Sequence, residues 1–326
     1  MAIKVSVLMS TYNEPEKWLN DSINSILEQS FHDFELILIN DNPQRKDLKI
    51  ILANYATLDK RIKLIENQEN LGLMRSFNVG IDNCSGKYIA RMDADDISMP
   101  NRLEIQVDFM ENNPEIGVCG TFAKTFGVEE RILATPVSDT EIRDSIIDCS
   151  PFIHPTVIIR KSIFDDPEVR YRELHGAEDY GLWVDLLGKT KFHNINRILL
   201  KYRISKQQVS HKNKGQKEVA RNVKKRGINF IFGETVANEI YNGKEITLLR
   251  IKKIKRLIPA HISRKSRDVL IENLYLSLDR YTLYTAIHYL LQEKNPKVKI
   301  FLKLVKRVFK HDLIFTRLQV HDGYNN

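Results

Sequence analysis

Gly86-Lys87-Tyr88-Ile89-Ala90-Arg91-Met92-Asp93-Ala94-Asp95-Asp96 is the stretch on which the fold turns. Its first seven residues read as a buried strand, and three carboxylates follow at the strand's end. Carboxylates crowded together repel one another and lose hydration, so a cation or a hydrogen-bond donor has to compensate. Side chains two apart in an extended backbone point the same way. Asp93 and Asp95 can therefore share one site. A hard divalent cation takes oxygen ligands, keeps some waters and commonly bridges to a phosphate. The simplest reading is a metal–diphosphate site. A solvated acidic loop with a helix cap suits Asp96 alone and fits the group of three poorly.

Upstream, short apolar runs alternate with helical periodicity, which predicts βα units and a parallel sheet. Residues 5–9, 35–40, 61–65 and 87–92 are the predicted strands. Trp18, Leu19, Ile23, Ile26 and Leu27 follow a 3–4 spacing behind Pro15, and Leu73, Phe77, Ile81 and Cys84 repeat it. Pro100 opens a further predicted helix with Leu103, Val107 and Met110 facing inward. Ligands of such sheets bind beyond the carboxyl ends of the strands. Thr11, Asn13 and Glu14, then Asp41, then the acidic cluster all fall at such ends. Downstream, residues 117–121 and 156–160 read as strands and residues 177–187 as a helix.

Read together, five segments keep one order. They are Ser10-Thr11-Tyr12-Asn13-Glu14, Leu38-Ile39-Asn40-Asp41, Asn70-Leu71-Gly72 with Arg75, Asp93-Ala94-Asp95-Asp96, and Glu178-Asp179-Tyr180-Gly181-Leu182-Trp183. In this order and spacing the first two hundred residues resemble the family 2 glycosyltransferases. Asp41-Asn42-Pro43-Gln44 departs from that pattern, where a second acidic residue and a Gly-Ser turn are commoner. The resemblance implies a GT-A fold, an α/β architecture with a Rossmann-like, mostly parallel sheet flanked by helices. A basic helical C-terminal region would follow it. It also implies an inverting, metal-dependent transfer of a hexosyl group from a UDP-sugar, as in bacterial capsule, lipopolysaccharide or other polysaccharide biosynthesis.

Site roles follow residue by residue from that resemblance. Asp93, of the D-x-D motif, would face the nucleotide ribose and Asp95 would hold Mn2+ or Mg2+. Thr11, Asn13, Glu14 and Asp41 would line the nucleotide pocket, where an ionised carboxylate complements the uracil imide N–H. Turn chemistry is the plainer explanation of the same residues. Asn70 and Gly72 form a loop leading into a helix whose N-terminus favours anions, with Arg75 in reach of the diphosphate. Glu178 and Asp179 suit a helix start on electrostatic grounds alone. They also match the family's E-D pair, whose aspartate takes the proton of the acceptor hydroxyl. His154-Pro155-Thr156 resembles a segment behind the acceptor pocket, and Trp183 is assigned with it to acceptor binding. His211, after Tyr202 and Arg203, is the expected additional metal ligand.

Bulk composition frames these expectations. The chain has 326 residues, 42% hydrophobic and 28% charged, which fits a globular protein of one large domain with an appendage. The expected division is a catalytic domain over residues 1–215 and a basic helical region over 216–326. Cys84, Cys119 and Cys149 are too few and too scattered for a disulfide framework or a zinc site. The start of the chain reads as a strand without a signal peptide, and no window spans a membrane, so a cytoplasmic or peripheral membrane location is expected. The net charge of +8 hides a split. Residues 1–200 carry 22 basic and 32 acidic side chains, a balance of −10, and residues 201–326 carry 28 and 10, a balance of +18. Within the basic part, Ile300, Phe301, Leu304, Val305 and Val308 form an apolar helical stripe among lysines, a pattern for anionic membrane contact that a lipid-linked acceptor would make useful. The plainer reading is a helix packed on the core. A nucleotidyltransferase would need a glycine-rich basic loop after the first strand, which is missing. A nucleic-acid-binding protein would need a recognition motif, and none is present.

Overall fold

The computed structural model describes residues 3–174, 176–205, 216–241 and 246–278. The chain forms two compact units, divided after Lys224.

In the first unit, β1 (Val5–Thr11), β2 (Phe34–Asn40), β3 (Ile62–Glu66) and β4 (Tyr88–Asp93) make a parallel sheet in the order β3-β2-β1-β4. Every residue of β1 and β2 is buried, as expected of parallel strands covered on both faces. Alternation then sorts them into two cores. Val5, Val7, Met9, Leu36 and Leu38 pack to one side, and Leu8, Ile37 and Ile39 to the other. The first core is closed by α1 (Glu16–Leu27), α2 (Lys46–Leu58) and α4 (Arg102–Asn112), the second by α3 (Leu73–Asn83), α5 (Asp139–Ile146) and α6 (Glu178–Asp185). Gly80 lets α3 approach closely. A Cβ there would meet Leu8 Cδ1 at 2.1 Å and Ile39 Cδ1 at 2.9 Å.

Beyond β4 the sheet becomes mixed. β8 (Ile158–Arg160) runs antiparallel to both β4 and β6 (Ile116–Gly127), while β9 (Lys191–Ile204) runs parallel to β6. β5 (Ile97–Ser98) pairs with β9 and β7 (Ile132–Leu133) with β6, both antiparallel. The result is the expected α/β GT-A architecture with helices on both faces. The four upstream strands lie within two residues of their predicted positions. The strand expected over 156–160 is shorter: only Ile158–Arg160 form β8, and Thr156 closes a 3-10 turn over His154–Thr156, in which Pro155 has no N–H to give a ladder. Pro100 likewise stands just outside α4, which Asn101 precedes.

Register brings the site to one edge. Thr11 pairs with Asn40, Ser10 with Asp93 and Asn40 with Glu66, so the carboxyl ends of four strands are level.

Residues 225–278 contain the end of α7 (Gln216–Phe232), then α8 (Glu234–Tyr241), α9 (Leu248–Leu257) and α10 (Arg264–Leu276). Thr247 and Ser263 cap α9 and α10 through their hydroxyls. On α9, Ile251 and Ile254 are buried while Lys252, Lys253, Lys255 and Arg256 are exposed. Among the described residues no helix is long and apolar enough to cross a membrane. The apolar stripe from Ile300 to Val308 lies outside the described residues.

Candidate active site

Asp93, Asp95 and Asp96 leave β4 with ligand oxygens all within 4.8 Å of one another. Asp96 is 1% exposed, and its Oδ2 has no hydrogen-bond partner. Burial first, and then the neighbouring charges of Asp93 and Glu14, push the Asp95 carboxyl up to about 7. Burial first, and then the charges of Asp93 and Asp95, raise Asp96 well above the usual range. Such a cluster has too little positive charge for its negative charge. Its hard oxygen donors suit Mg2+ or Mn2+.

Two groups hold this loop by its backbone. Ser22 Oγ on α1 donates to the Asp93 carbonyl at 2.7 Å. Arg203 near the end of β9 donates its Nε to the Asp95 carbonyl at 2.6 Å and its backbone N–H to Asp96 Oδ1 at 2.7 Å. The Arg203 guanidinium lies 4.6 Å from the Trp18 ring centre and 4.4 Å from that of Phe126.

Arg91 forms the floor. It is 5% exposed, pairs with Asp93 at 2.6 Å and stacks over Phe77 at 5.2 Å. Its charge also favours the anionic form of Asp179 and disfavours protonation of His154. Neither Arg91 nor Arg203 was singled out as a site residue from sequence. Arg91 had a signal, a lone cation inside an apolar strand two residues before Asp93 and therefore on its face. Arg203 had none, because its partners lie about a hundred residues away.

The loops after β1 and β2 brace each other. Asn42 Nδ2 donates to Asn13 Oδ1 at 3.0 Å and to the Tyr12 carbonyl at 3.2 Å, and Arg45 donates to the Glu14 carbonyl at 2.8 Å. Glu14 accepts from Tyr12 N–H at 2.8 Å, and burial raises its carboxyl. Thr11 is buried, donating to the Ile39 carbonyl at 3.0 Å. Asp41 is 3% exposed and mostly engaged within the chain. It accepts from Asn67 Nδ2 at 2.7 Å, Leu71 N–H at 2.8 Å and Gly72 N–H at 2.9 Å. A carboxylate has about four lone-pair directions, so about one remains for a ligand. Gly72 has φ +79°, a left-handed conformation that glycine adopts without strain. Asn70 Oδ1 accepts from the same Gly72 N–H at 2.9 Å. Arg75 is 60% exposed at its side chain and ion-pairs with Glu173.

Asp179 stands at the start of α6, partly buried, and accepts from Ser150 Oγ at 2.8 Å. Burial raises its carboxyl, while the Ser150 hydroxyl pulls it back. Glu178 accepts from the Gly176 N–H at 2.8 Å. His154 Nε2 lies 2.8 Å from the Tyr171 hydroxyl, and burial with the nearby Arg91 charge keeps the imidazole neutral. Trp183 is fully buried, its ring against those of Phe152 and His154, so it has no surface to offer a ligand directly. His211 lies outside the described residues.

Comparison with known proteins bears on the family and the fold. The family model "Glycosyl transferase family 2" matches residues 6–166. The amylovoran biosynthesis glycosyltransferase AmsE of Erwinia amylovora is 30% identical over 234 residues, covering 70% of this chain and 82% of that protein. The structure of S. aureus TarS 1-349 in complex with UDP-GlcNAc superposes with a TM-score of 0.59 at 16% identity, covering 96% of this chain and 92% of that one. The mannosyltransferase PcManGT from Pyrobaculum calidifontis, in complex with GDP-Man and Mn2+, gives 0.56 at 13% identity, covering 97% and 83%. The motif order, the fold and these matches lead to one conclusion: the chain belongs to glycosyl transferase family 2 and is a glycosyltransferase.

Proposed function

We propose that this enzyme moves a sugar, with inversion, from a UDP-sugar to a hydroxyl of a glycan or lipid-linked acceptor in bacterial surface-polysaccharide synthesis. The observation that carries the reading is the convergence of Asp93, Asp95 and Asp96 within 4.8 Å beyond the carboxyl end of β4. Their donor set fits Mn2+ or Mg2+, with Asp95 as the principal ligand and Asp96 Oδ2 in need of a positive partner. When bound, the cation offsets the diphosphate charge and stabilises the departing nucleotide. Asp93, held by Arg91, faces the ribose. Thr11, Asn13, Glu14 and the remaining lone pair of Asp41 line the base pocket. Asn70 and Gly72 shape the loop beside it, and Arg75 turns toward the diphosphate.

Asp179 takes the acceptor proton. Its raised pKa suits that task, since a base works best with a pKa near the working pH. Ser150 orients it. Glu178 fixes the helix start, and His154 with Trp183 backs the acceptor wall. His211 is proposed as a further metal ligand. The donor class draws support from TarS with UDP-GlcNAc and PcManGT with GDP-Man, both nucleoside diphosphate sugars. The polysaccharide context draws on AmsE. Residues 1–215 would form the catalytic domain, with residues 216–326 as a basic region working at the inner face of the membrane.

The test is a panel of UDP- and GDP-sugars with Mn2+, Mg2+ or EDTA, read by release of the nucleoside diphosphate. Release from a UDP-sugar that EDTA abolishes supports the reading. Release from a GDP-sugar alone overturns the donor, and release undiminished by EDTA overturns the metal.

A further inference from the structure

Both groups that grip the acidic loop do so mainly through carbonyls. Ser22 bonds the Asp93 carbonyl at 2.7 Å, and the Arg203 side chain bonds that of Asp95 at 2.6 Å. Both of these bonds leave the Asp95 carboxylate oxygens aside, although the Arg203 charge favours that carboxylate's anionic form. A cation beside Asp95 would usually be expected to form an ion pair with it, removing it as a metal ligand. Here the guanidinium is kept from that pairing by its cage. Trp18 and Phe126 lie 4.6 and 4.4 Å from it, and Asp21 lies 3.7 Å from its NH2 group. A planar guanidinium stacks on rings and donates in a fixed fork, which an ammonium cannot reproduce. Trp18, Asp21 and Ser22 all belong to α1, so one helix both cages Arg203 and anchors the loop directly.

We propose that Ser22 and Arg203 are positioning residues for the cation site, a two-point clamp that fixes the Asp93 to Asp96 loop by its backbone and leaves the Asp95 carboxylate available. This rests on the metal reading above. Outer groups that orient ligands typically contribute about 10–100-fold to metal affinity. Loosening the clamp should weaken the cation while leaving the protein folded.

The test is direct Mn2+ binding by electron paramagnetic resonance, with UDP or GDP present, on the full chain. Arg203→Met keeps an apolar stem between the two rings and removes the donors. Arg203→Lys keeps the charge without the fork. Ser22→Ala cuts the other anchor by a change small enough to fold. Thermal unfolding in EDTA is measured alongside. Arg203→Met is expected to weaken Mn2+ about tenfold, with Arg203→Lys close to it rather than to the unaltered protein. Ser22→Ala should shift binding the same way by a smaller factor. Unchanged Mn2+ affinity in folded Arg203→Met overturns the clamp, as does full rescue by lysine, which would reduce Arg203 to a charge. If Arg203→Met does not fold, Ser22→Ala decides alone, and unchanged affinity there overturns it. An unaltered protein that binds no Mn2+ overturns the metal reading and the clamp together.

Discussion

At Asp95 two requirements oppose each other, since burial favours the protonated acid while a cation needs the anion. Its carboxyl, pushed up to about 7 by burial and by the charges of Asp93 and Glu14, leans toward the proton. Asp95→Asn keeps the shape and removes the charge. Metal-dependent turnover should fall to background while the fold persists, and Mn2+-dependent turnover near that of the unaltered enzyme would falsify the ligand assignment. Asp179→Asn should retain nucleotide-sugar binding and lose about 10²–10⁴-fold in kcat, the usual size of a general-base contribution. If nucleotide binding vanishes instead, Asp179 belongs to the donor site. Ser150 adds a finer test. Its hydroxyl donates to the Asp179 anion and lowers a pKa that burial raises. Ser150→Ala should therefore move the acid limb of the kcat profile to higher pH, because the base stays protonated longer. A limb that stays put or moves down would detach Ser150 from the base. These acidic residues were legible in the sequence because carboxylates at strand ends are rare and motif-ordered. The internal ties of Asp41 were not legible, since Leu71 and Gly72 meet it across thirty residues of intervening chain.

Helix α1 shows how an element serves the site. Ser22 and Ser25 on one side of it, with Gln29 just past its C-cap, bond the chain between Asp93 and Leu103. Gln29 Nε2 donates to the carbonyls of Ser25 and Met99, both at 2.8 Å, and its Oε1 accepts from Leu103 N–H at 3.0 Å. Gln29 is fully buried. Gln29→Leu would strand the Met99 carbonyl and Leu103 N–H, at about 1–3 kcal/mol for each unsatisfied group. A urea titration should show that loss, and stability within about 0.5 kcal/mol of the parent would contradict the seam. Helix α3 makes a steric prediction. Gly80→Ala drives a methyl into Leu8 and Ile39, and overpacking typically costs about 1–3 kcal/mol. The order of strands and helices was legible because parallel strands read as unbroken apolar runs and helices as a 3–4 rhythm. Polar seams have no rhythm of their own. Ser22 looks like an ordinary polar position of an amphipathic helix and Gln29 like the loop after it, and only tertiary partners distinguish them. The mixed half of the sheet was less legible, since β5 and β7 are two residues each and too short for any period.

For the molecule as a whole the acidic cluster is a cost that the fold bears until a cation arrives. Asp95 binds its proton more tightly folded, with a pKa of about 7, than unfolded, near the ordinary 3.8. The native state thus holds more protons across that window, and stability falls as pH rises through it. In EDTA the midpoint of thermal unfolding should drop between pH 5 and pH 8, in a window set by these two pKa values. Mn2+ should raise it more at pH 8 than at pH 5, because protons and metal compete for the same oxygens. Equal stabilisation at both pH values would remove the cluster as the metal's address. The chain's charge split, −10 before residue 201 and +18 after, was plain from composition. One further consequence comes from Asp41. By accepting the N–H groups of Leu71 and Gly72 it welds the tip of β2 to the entry of α3. Anyone recombining this enzyme with a relative to change its donor would do well to treat residues 41–72 as a single cassette. A crossover inside it would join a carboxylate from one parent to a loop shaped for another.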